Sequence, residues 1–139
     1  MSTPFRLELP RAVYDEMLDQ ARAEFPNECC GLLAGVLEEG VARVVRRFPL
    51  INEAASPTEY LAAKSLGEAN RQRRECGLEF LAVYHSHPTS PPVPSKKDLA
   101  EFYWDGHMSL IISLAGTEPE VRGWWLTNTD YREAEWKQV

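Results

Sequence analysis

Long apolar runs, paired cysteines and an excess of basic charge are all missing from this 139-residue chain. No apolar stretch approaches the roughly 18 residues that a membrane-spanning helix requires. Residues Met1 to Glu8 lack the apolar stretch of a secretory signal. The expectation is a soluble, cytoplasmic protein. There are three cysteines, Cys29, Cys30 and Cys76. An odd count with two adjacent does not build a disulfide framework, and without a C-x-x-C there is no thiolate zinc site. All three are read as small buried hydrophobes. Lys and Arg number 15 against 21 Asp and Glu, a formal net charge of −6. Binding a phosphate backbone needs clustered cations, so a nucleic-acid partner is not expected. The short basic clusters at Arg43, Arg46, Arg47 and at Arg71, Arg73, Arg74 are read as solvated faces, with a patch for an acidic protein as the alternative. Repeats, low-complexity tracts and linkers are also lacking, so one domain over residues 1–139 is the simplest organisation.

What is present reads as alternating strands and helices. Pro10 suits a first helical turn, and Val13, Met17, Ala21 and Phe25 recur at helical spacing until Pro26 and Asn27. Cys29 to Val36 reads as a buried strand, Glu39-Gly40 as a hairpin turn and Val41 to Phe48 as the returning strand. Asn52 to Thr58 is loop-like. A helix ending before Gly77 follows, with capping boxes offered at Ser56-x-x-Glu59 and Ser65-x-x-Glu68. Phe80 to Tyr84 reads as a central strand. Pro88 to Pro94 holds four prolines and excludes regular structure. Ser95 to Tyr103 reads as an amphipathic helix, with Leu99, Phe102 and Tyr103 on one side. Ser109 to Leu114 and Glu120 to Leu126 read as strands turning at Gly116, and Tyr131 to Trp136 as a last edge strand. Trp124 and Trp125 are adjacent, so on an alternating strand one of them would face outward, a possible partner contact. The mixture lacks a strict βαβα rhythm and implies an α/β fold, a mixed sheet packed by helices.

Chemistry concentrates in Tyr84-His85-Ser86-His87-Pro88 and Ser95-Lys96-Lys97-Asp98. Histidines two apart at a strand end project from one face. Two imidazoles and a carboxylate suit Zn²⁺ and leave a fourth tetrahedral position open for water. Asp98 follows a proline-stiffened loop in the first turn of the expected helix. Zinc hydrolysis also needs a carboxylate to move the proton, and Glu28, opening the Cys-Cys-Gly strand, is the candidate. Ser95 could donate to a developing oxyanion. Each feature also has an ordinary explanation: Ser95-x-x-Asp98 as a capping box, His-x-His as incidental, Glu28 as a turn residue. His107 is assigned no role.

Glu28, then His85-Ser86-His87-Pro88, seven residues to Ser95 and two more to Asp98, resembles the complete JAMM motif of the MPN+ (Mov34/PAD-1) metallopeptidases. Pro26 to Gly35 is similar to that family's first strand, with its Glu and following Cys-Gly. The resemblance spans roughly residues 5 to 126. It implies a curved mixed β-sheet sandwiched by helices, similar to cytidine deaminases. It also implies one catalytic zinc on His85, His87 and Asp98, Glu28 as acid/base, and Ser95 steadying the tetrahedral intermediate. The implied activity is cleavage after the C-terminal Gly-Gly of a ubiquitin-like protein. The short chain looks like the minimal prokaryotic form. The implied partner is therefore a ubiquitin-like sulfur-carrier protein (ThiS-, MoaD- or CysO-like), with Mec-type release of cysteine or a peptide. Three other readings are weighed: a deaminase, which would need H-x-E and P-C-x-x-C; a non-catalytic scaffold, which the intact motif disfavours; and a phage-tail-type peptidase. The core does not depend on the metal, so the apo protein is expected to stay folded.

Overall fold

A strand order that begins and ends with sequence neighbours shapes this molecule. The computed structural model describes residues 4–100 and 106–139. In chain order the elements are β1 (Arg6–Leu9), α1 (Arg11–Glu24), β2 (Cys30–Glu38), β3 (Val41–Leu50), α2 (Ala63–Cys76), β4 (Glu79–His87), α3 (Lys96–Ala100), β5 (Met108–Ser113), β6 (Glu120–Leu126), β7 (Tyr131–Ala134) and β8 (Trp136–Gln138). The strands form one sheet in the order β7-β6-β5-β4-β2-β3-β1-β8. Pairs β1–β3, β1–β8 and β4–β5 are parallel and the rest antiparallel. The edge strands β7 and β8 are separated only by Glu135, and each residue spans at most about 3.6 Å. The sheet must therefore curl until its two edges approach. A hydrogen bond of 3.1 Å from the Leu7 amide to the Glu135 carbonyl stitches this closure.

Both faces of the central strands are covered, which is why β2 and β4 read as nearly unbroken buried runs. One face packs α1 through Val13, Met17, Leu18 and Ala21 against Leu7, Leu33, Tyr84 and Leu110. The other sets Leu66 and Ala69 of α2 against Leu32, Phe48 and Val83. A third cluster joins Ile111, Trp124 and Leu126 to Val93 and Leu99, beneath the proline-rich loop and α3. Close packing makes two glycines of β2 irreplaceable. A Cβ on Gly31 would stand 2.2 Å from the Tyr84 ring, and one on Gly35 would stand 1.9 Å from the Arg43 carbonyl oxygen. Such contacts leave no room for a methyl group.

Several expectations are corrected. Neither capping box starts α2. The helix begins at Ala63, its Lys64 amide is capped by Glu53 Oε2 at 3.0 Å, and Ser65 Oγ instead accepts from the Ile51 amide. Its C-terminus does end at Gly77, with φ 69° and amide bonds back to the last turn. Phe25 leaves the apolar stripe of α1 because the backbone has already turned extended there; it is 52% exposed. Neither Trp124 nor Trp125 faces outward. They alternate across the sheet, but both faces are covered, and both rings are buried. Tyr131 to Trp136 is two strands on opposite edges of the sheet, and β1 was not anticipated at all. Cys76 is exposed, against a guanidinium N–H of Arg46 at 3.1 Å. The arginine clusters do lie largely on solvated faces: Arg43, Arg46, Arg71 and Arg74 are exposed, and Arg43 pairs with Glu8, Arg47 with Glu16, and Arg71 with Glu68 and Glu75 at the surface. Of the helix expected over 95–103, the described residues contain Lys96–Ala100; Phe102 and Tyr103 lie outside them. Among the described residues, no helix is long and apolar enough to cross a membrane.

Candidate metal centre

Strand β4 runs past the expected Tyr84 and carries both motif histidines at its C-terminal end. His85 and His87 are buried, and their Nε2 atoms lie 3.2 Å apart. From the first turn of α3, Asp98 brings Oδ1 to 3.3 Å from His85 Nε2 and Oδ2 to 3.1 Å from His87 Nε2. A tetrahedral ion with bonds of about 2.0–2.1 Å holds its ligand atoms about 3.3 Å apart, so the spacing fits a zinc-sized ion. Among the described residues this is the one His/Cys/Asp/Glu cluster that converges in this way.

The surroundings favour a cation. His87 Nδ1 lies 2.8 Å from the Pro91 carbonyl, which can only accept, so Nδ1 carries a proton and Nε2 is the nitrogen turned toward the cluster. Here the proline-rich loop contributes: Pro91 orients one ligand while the loop delivers Asp98. Tyr60 stacks on His85 with ring centroids 5.0 Å apart. Burial would raise the Asp98 carboxyl, but hydrogen bonds from His85 and His87 hold it well below the usual carboxylate range. Burial would likewise depress His87, yet its bonds to Asp98 and Pro91 raise it.

Ser95 and Asp98 form a reciprocal cap. The Ser95 amide donates to Asp98 Oδ2 at 2.9 Å and the Asp98 amide to Ser95 Oγ at 3.0 Å. The capping and ligand readings of Asp98 are therefore not rivals, because the cap holds the carboxylate in place. The exposed Ser95 hydroxyl keeps its own proton for a further acceptor.

Glu28 stands two residues ahead of β2. Cys30 pairs with His85, and Cys29 and Ser86 exchange two bonds, 2.8 Å to Ser86 Oγ and 3.1 Å to the Cys29 carbonyl. Glu28 is the next residue along, and its carboxyl feels the charges of His85, His87 and Asp98. The adjacency that spacing alone left open is thus supplied by antiparallel pairing. Glu28 is 3% exposed, and its Oε1 is buried without a hydrogen-bond partner. Burial pushes its carboxyl up to about 7, against the pull of His85 and His87. A buried carboxyl at that value beside an electrophilic centre can both accept and return a proton near neutral pH.

Other residues carried no sequence signal beyond loop composition. Asn52 bonds the Glu28 carbonyl, and Glu59 pairs with Lys97, tying the 51–62 segment to the helix bearing Asp98.

Such a closing mixed sheet, with a His-His-Asp cluster at the end of a central strand, defines the JAB/MPN class of fold. The chain belongs to the family of prokaryotic homologues of the JAB domain, whose profile matches residues 10–127. Among curated proteins it is 41% identical over 100 residues to a probable TtuB-protein conjugate cleaving protease of Thermus thermophilus, covering 70% of this chain and 64% of that protein. It is 33% identical over 120 residues to a desampylase of Haloferax volcanii, covering 82% and 85%. To a CysO-cysteine peptidase of Mycobacterium tuberculosis it is 32% identical over 98 residues, covering 70% and 66%. The chain thus spans just under two thirds of the Thermus and Mycobacterium proteins. A solution structure of a protein from Desulfitobacterium hafniense superposes with a TM-score of 0.87 at 31% identity, covering 96% and 92% of the two chains. A JAB1/MPN domain protein from Archaeoglobus fulgidus shares the fold, with a TM-score of 0.61 at 19% identity over 97% and 99%.

Proposed function

We propose that this protein is a zinc metallopeptidase that hydrolyses the amide bond after the C-terminal Gly-Gly of a ubiquitin-like sulfur-carrier protein. The observation that carries this reading is the spacing of His85, His87 and Asp98, with a buried, partnerless carboxylate oxygen of Glu28 beside them. His85 Nε2, His87 Nε2 and one Asp98 oxygen would hold the ion. When bound, zinc would supply Lewis acidity to activate water and polarise the scissile carbonyl.

The chain's own groups do the rest. The Glu28 carboxylate takes a proton from the attacking water and returns it to the leaving amine nitrogen. Its burial keeps the acid and base forms close in energy near neutral pH. The Ser95 hydroxyl, whose oxygen is engaged by the Asp98 amide, donates its proton to the developing oxyanion. Relatives named for cleaving TtuB conjugates and CysO-cysteine support a substrate with a ubiquitin-like body. An extended Gly-Gly tail has no side chains to exclude it from a narrow site.

The test is intact-mass spectrometry on a carrier protein extended past Gly-Gly by cysteine or a short peptide. Cleavage directly after Gly-Gly, abolished by chelator and by Glu28→Gln, is the expected result. An intact carrier, with one zinc still bound per chain, would sink the substrate assignment.

A further inference from the structure

Resting on that reading, we propose that Asn52 is a positioning residue, setting Glu28 against the metal ligands by tying its backbone to the wall of the site. Asn52 lies just beyond β3 and is buried. Its amide group has two donors and two acceptor positions, and all four are used. Nδ2 donates to the Glu28 carbonyl and to the Glu59 carbonyl, both at 2.9 Å. Oδ1 accepts from the Ala54 amide at 3.1 Å and the Leu61 amide at 3.0 Å. The orientation is unambiguous, since a flipped amide would set oxygen against two carbonyls and NH₂ against two N–H groups.

These four bonds close a circuit around the candidate centre. The Glu28 amide donates to the Ser56 carbonyl at 2.8 Å, so the same loop holds Glu28 from both its N–H and its C=O. Between those ties Ala55 sits at φ 45°, a conformation costly for a residue with a Cβ. The Asx turn from Asn52 to the Ala54 amide helps impose it. Residues next along the loop reach the ligands: Tyr60 stacks on His85, and Glu59 pairs with Lys97 beside Asp98. The Glu28 side chain has no hydrogen bond holding Oε1. Its aim therefore depends on where its backbone is fixed, and Asn52 fixes it. A carboxylate misplaced by about 1 Å can lose up to about a hundredfold in rate.

The experiment compares wild type, Asn52→Ala and a control, Ser65→Ala, which removes the neighbouring bond to the Ile51 amide. Amide hydrogen exchange is read on all three without substrate, together with bound zinc per chain. Asn52→Ala is expected to lose protection at the Glu28, Ala54 and Leu61 amides while the β4 amides and zinc content stay as in wild type. With the Gly-Gly-extended carrier, kcat should fall about tenfold to a hundredfold with KM nearly unchanged. Unchanged protection at Glu28, or a loss carried by KM or by zinc, would overturn the proposal. If Asn52→Ala does not fold, Asn52→Asp decides. It keeps both acceptors for Ala54 and Leu61 but loses both donors to the Glu28 and Glu59 carbonyls, so the Ala54 and Leu61 amides should stay protected while kcat still falls; a wild-type kcat overturns the proposal. A wild-type protein that cleaves no carrier refutes the peptidase reading instead, and the exchange pattern then settles the positioning by itself.

Discussion

Replacing Glu28 by glutamine should make the metal-free protein more stable at alkaline pH while removing its activity. Glu28 is 3% exposed, with one oxygen unpartnered, and burial lifts its carboxyl from the ordinary 4.5 to about 7. Each factor of ten in that equilibrium is 1.36 kcal/mol, so the ionised form costs the fold about 3 kcal/mol. The sign follows from linkage. Between 4.5 and 7 the folded state binds more protons than the unfolded state, so stability is lost as pH rises through that window. The loss is complete above the folded value and absent well below the unfolded one. Glutamine has the same shape and never ionises. Urea unfolding in chelator should therefore find Glu28→Gln about 3 kcal/mol more stable than wild type at pH 8.5, the gap shrinking to below about 1 kcal/mol at pH 5. Equal stability at pH 8.5, or a gap independent of pH, would refute the claim that a desolvated carboxylate is held in place against its own preference.

Other consequences are more local. Gly31→Ala drives a methyl group into the Tyr84 ring and should destabilise the protein by about 3 kcal/mol or more in urea unfolding. Asp98→Asn removes the carboxylate charge while keeping an acceptor for the Ser95 amide, and should weaken zinc binding at least about tenfold in a competition titration with a chromogenic chelator. Trp124→Phe loses the 2.9 Å bond from the indole N–H to the Pro92 carbonyl and should cost about 1 kcal/mol, measured by the same unfolding assay. Among the thiols, burial pushes Cys29 up to about 11 and Cys30 up to about 12, whereas Cys76 is exposed. An aromatic disulfide reagent should therefore titrate Cys76 alone in native protein and all three cysteines in denaturant.

The candidate His-His-Asp cluster was legible because its chemistry is compressed into short segments. Two histidines on one strand face and an aspartate at the first turn of a helix depend only on local geometry, and the pairing of β2 with β4 then brings Glu28, just ahead of β2, toward them. What escaped reading lies in long-range packing. Strand β1 is four residues long and owes its existence to β3 and β8 on either side, not to its own pattern. The break at Glu135 that sends β7 and β8 to opposite edges follows from closure of the sheet, which local alternation does not encode. Ser56 and Ser65 each match a capping box, yet the start of α2 is set by Glu53 from the preceding loop. Strict alternation turns one of Trp124 and Trp125 outward, but the proline-rich loop supplies Trp124 with a cover and a hydrogen-bond acceptor. Asn52 read only as a loop residue, since four partners spread from Glu28 to Leu61 leave no mark in its immediate neighbours.

The most direct test of the metallopeptidase reading is a reconstitution titration. Metal-stripped protein would receive zinc in steps, with cleavage of the Gly-Gly-extended carrier followed at each addition. The account predicts activity that rises linearly and breaks at one zinc per chain for wild type. For Glu28→Gln it predicts the same binding stoichiometry with no cleavage at any step. Cleavage that is already complete in the stripped protein, or that survives in Glu28→Gln, would contradict it.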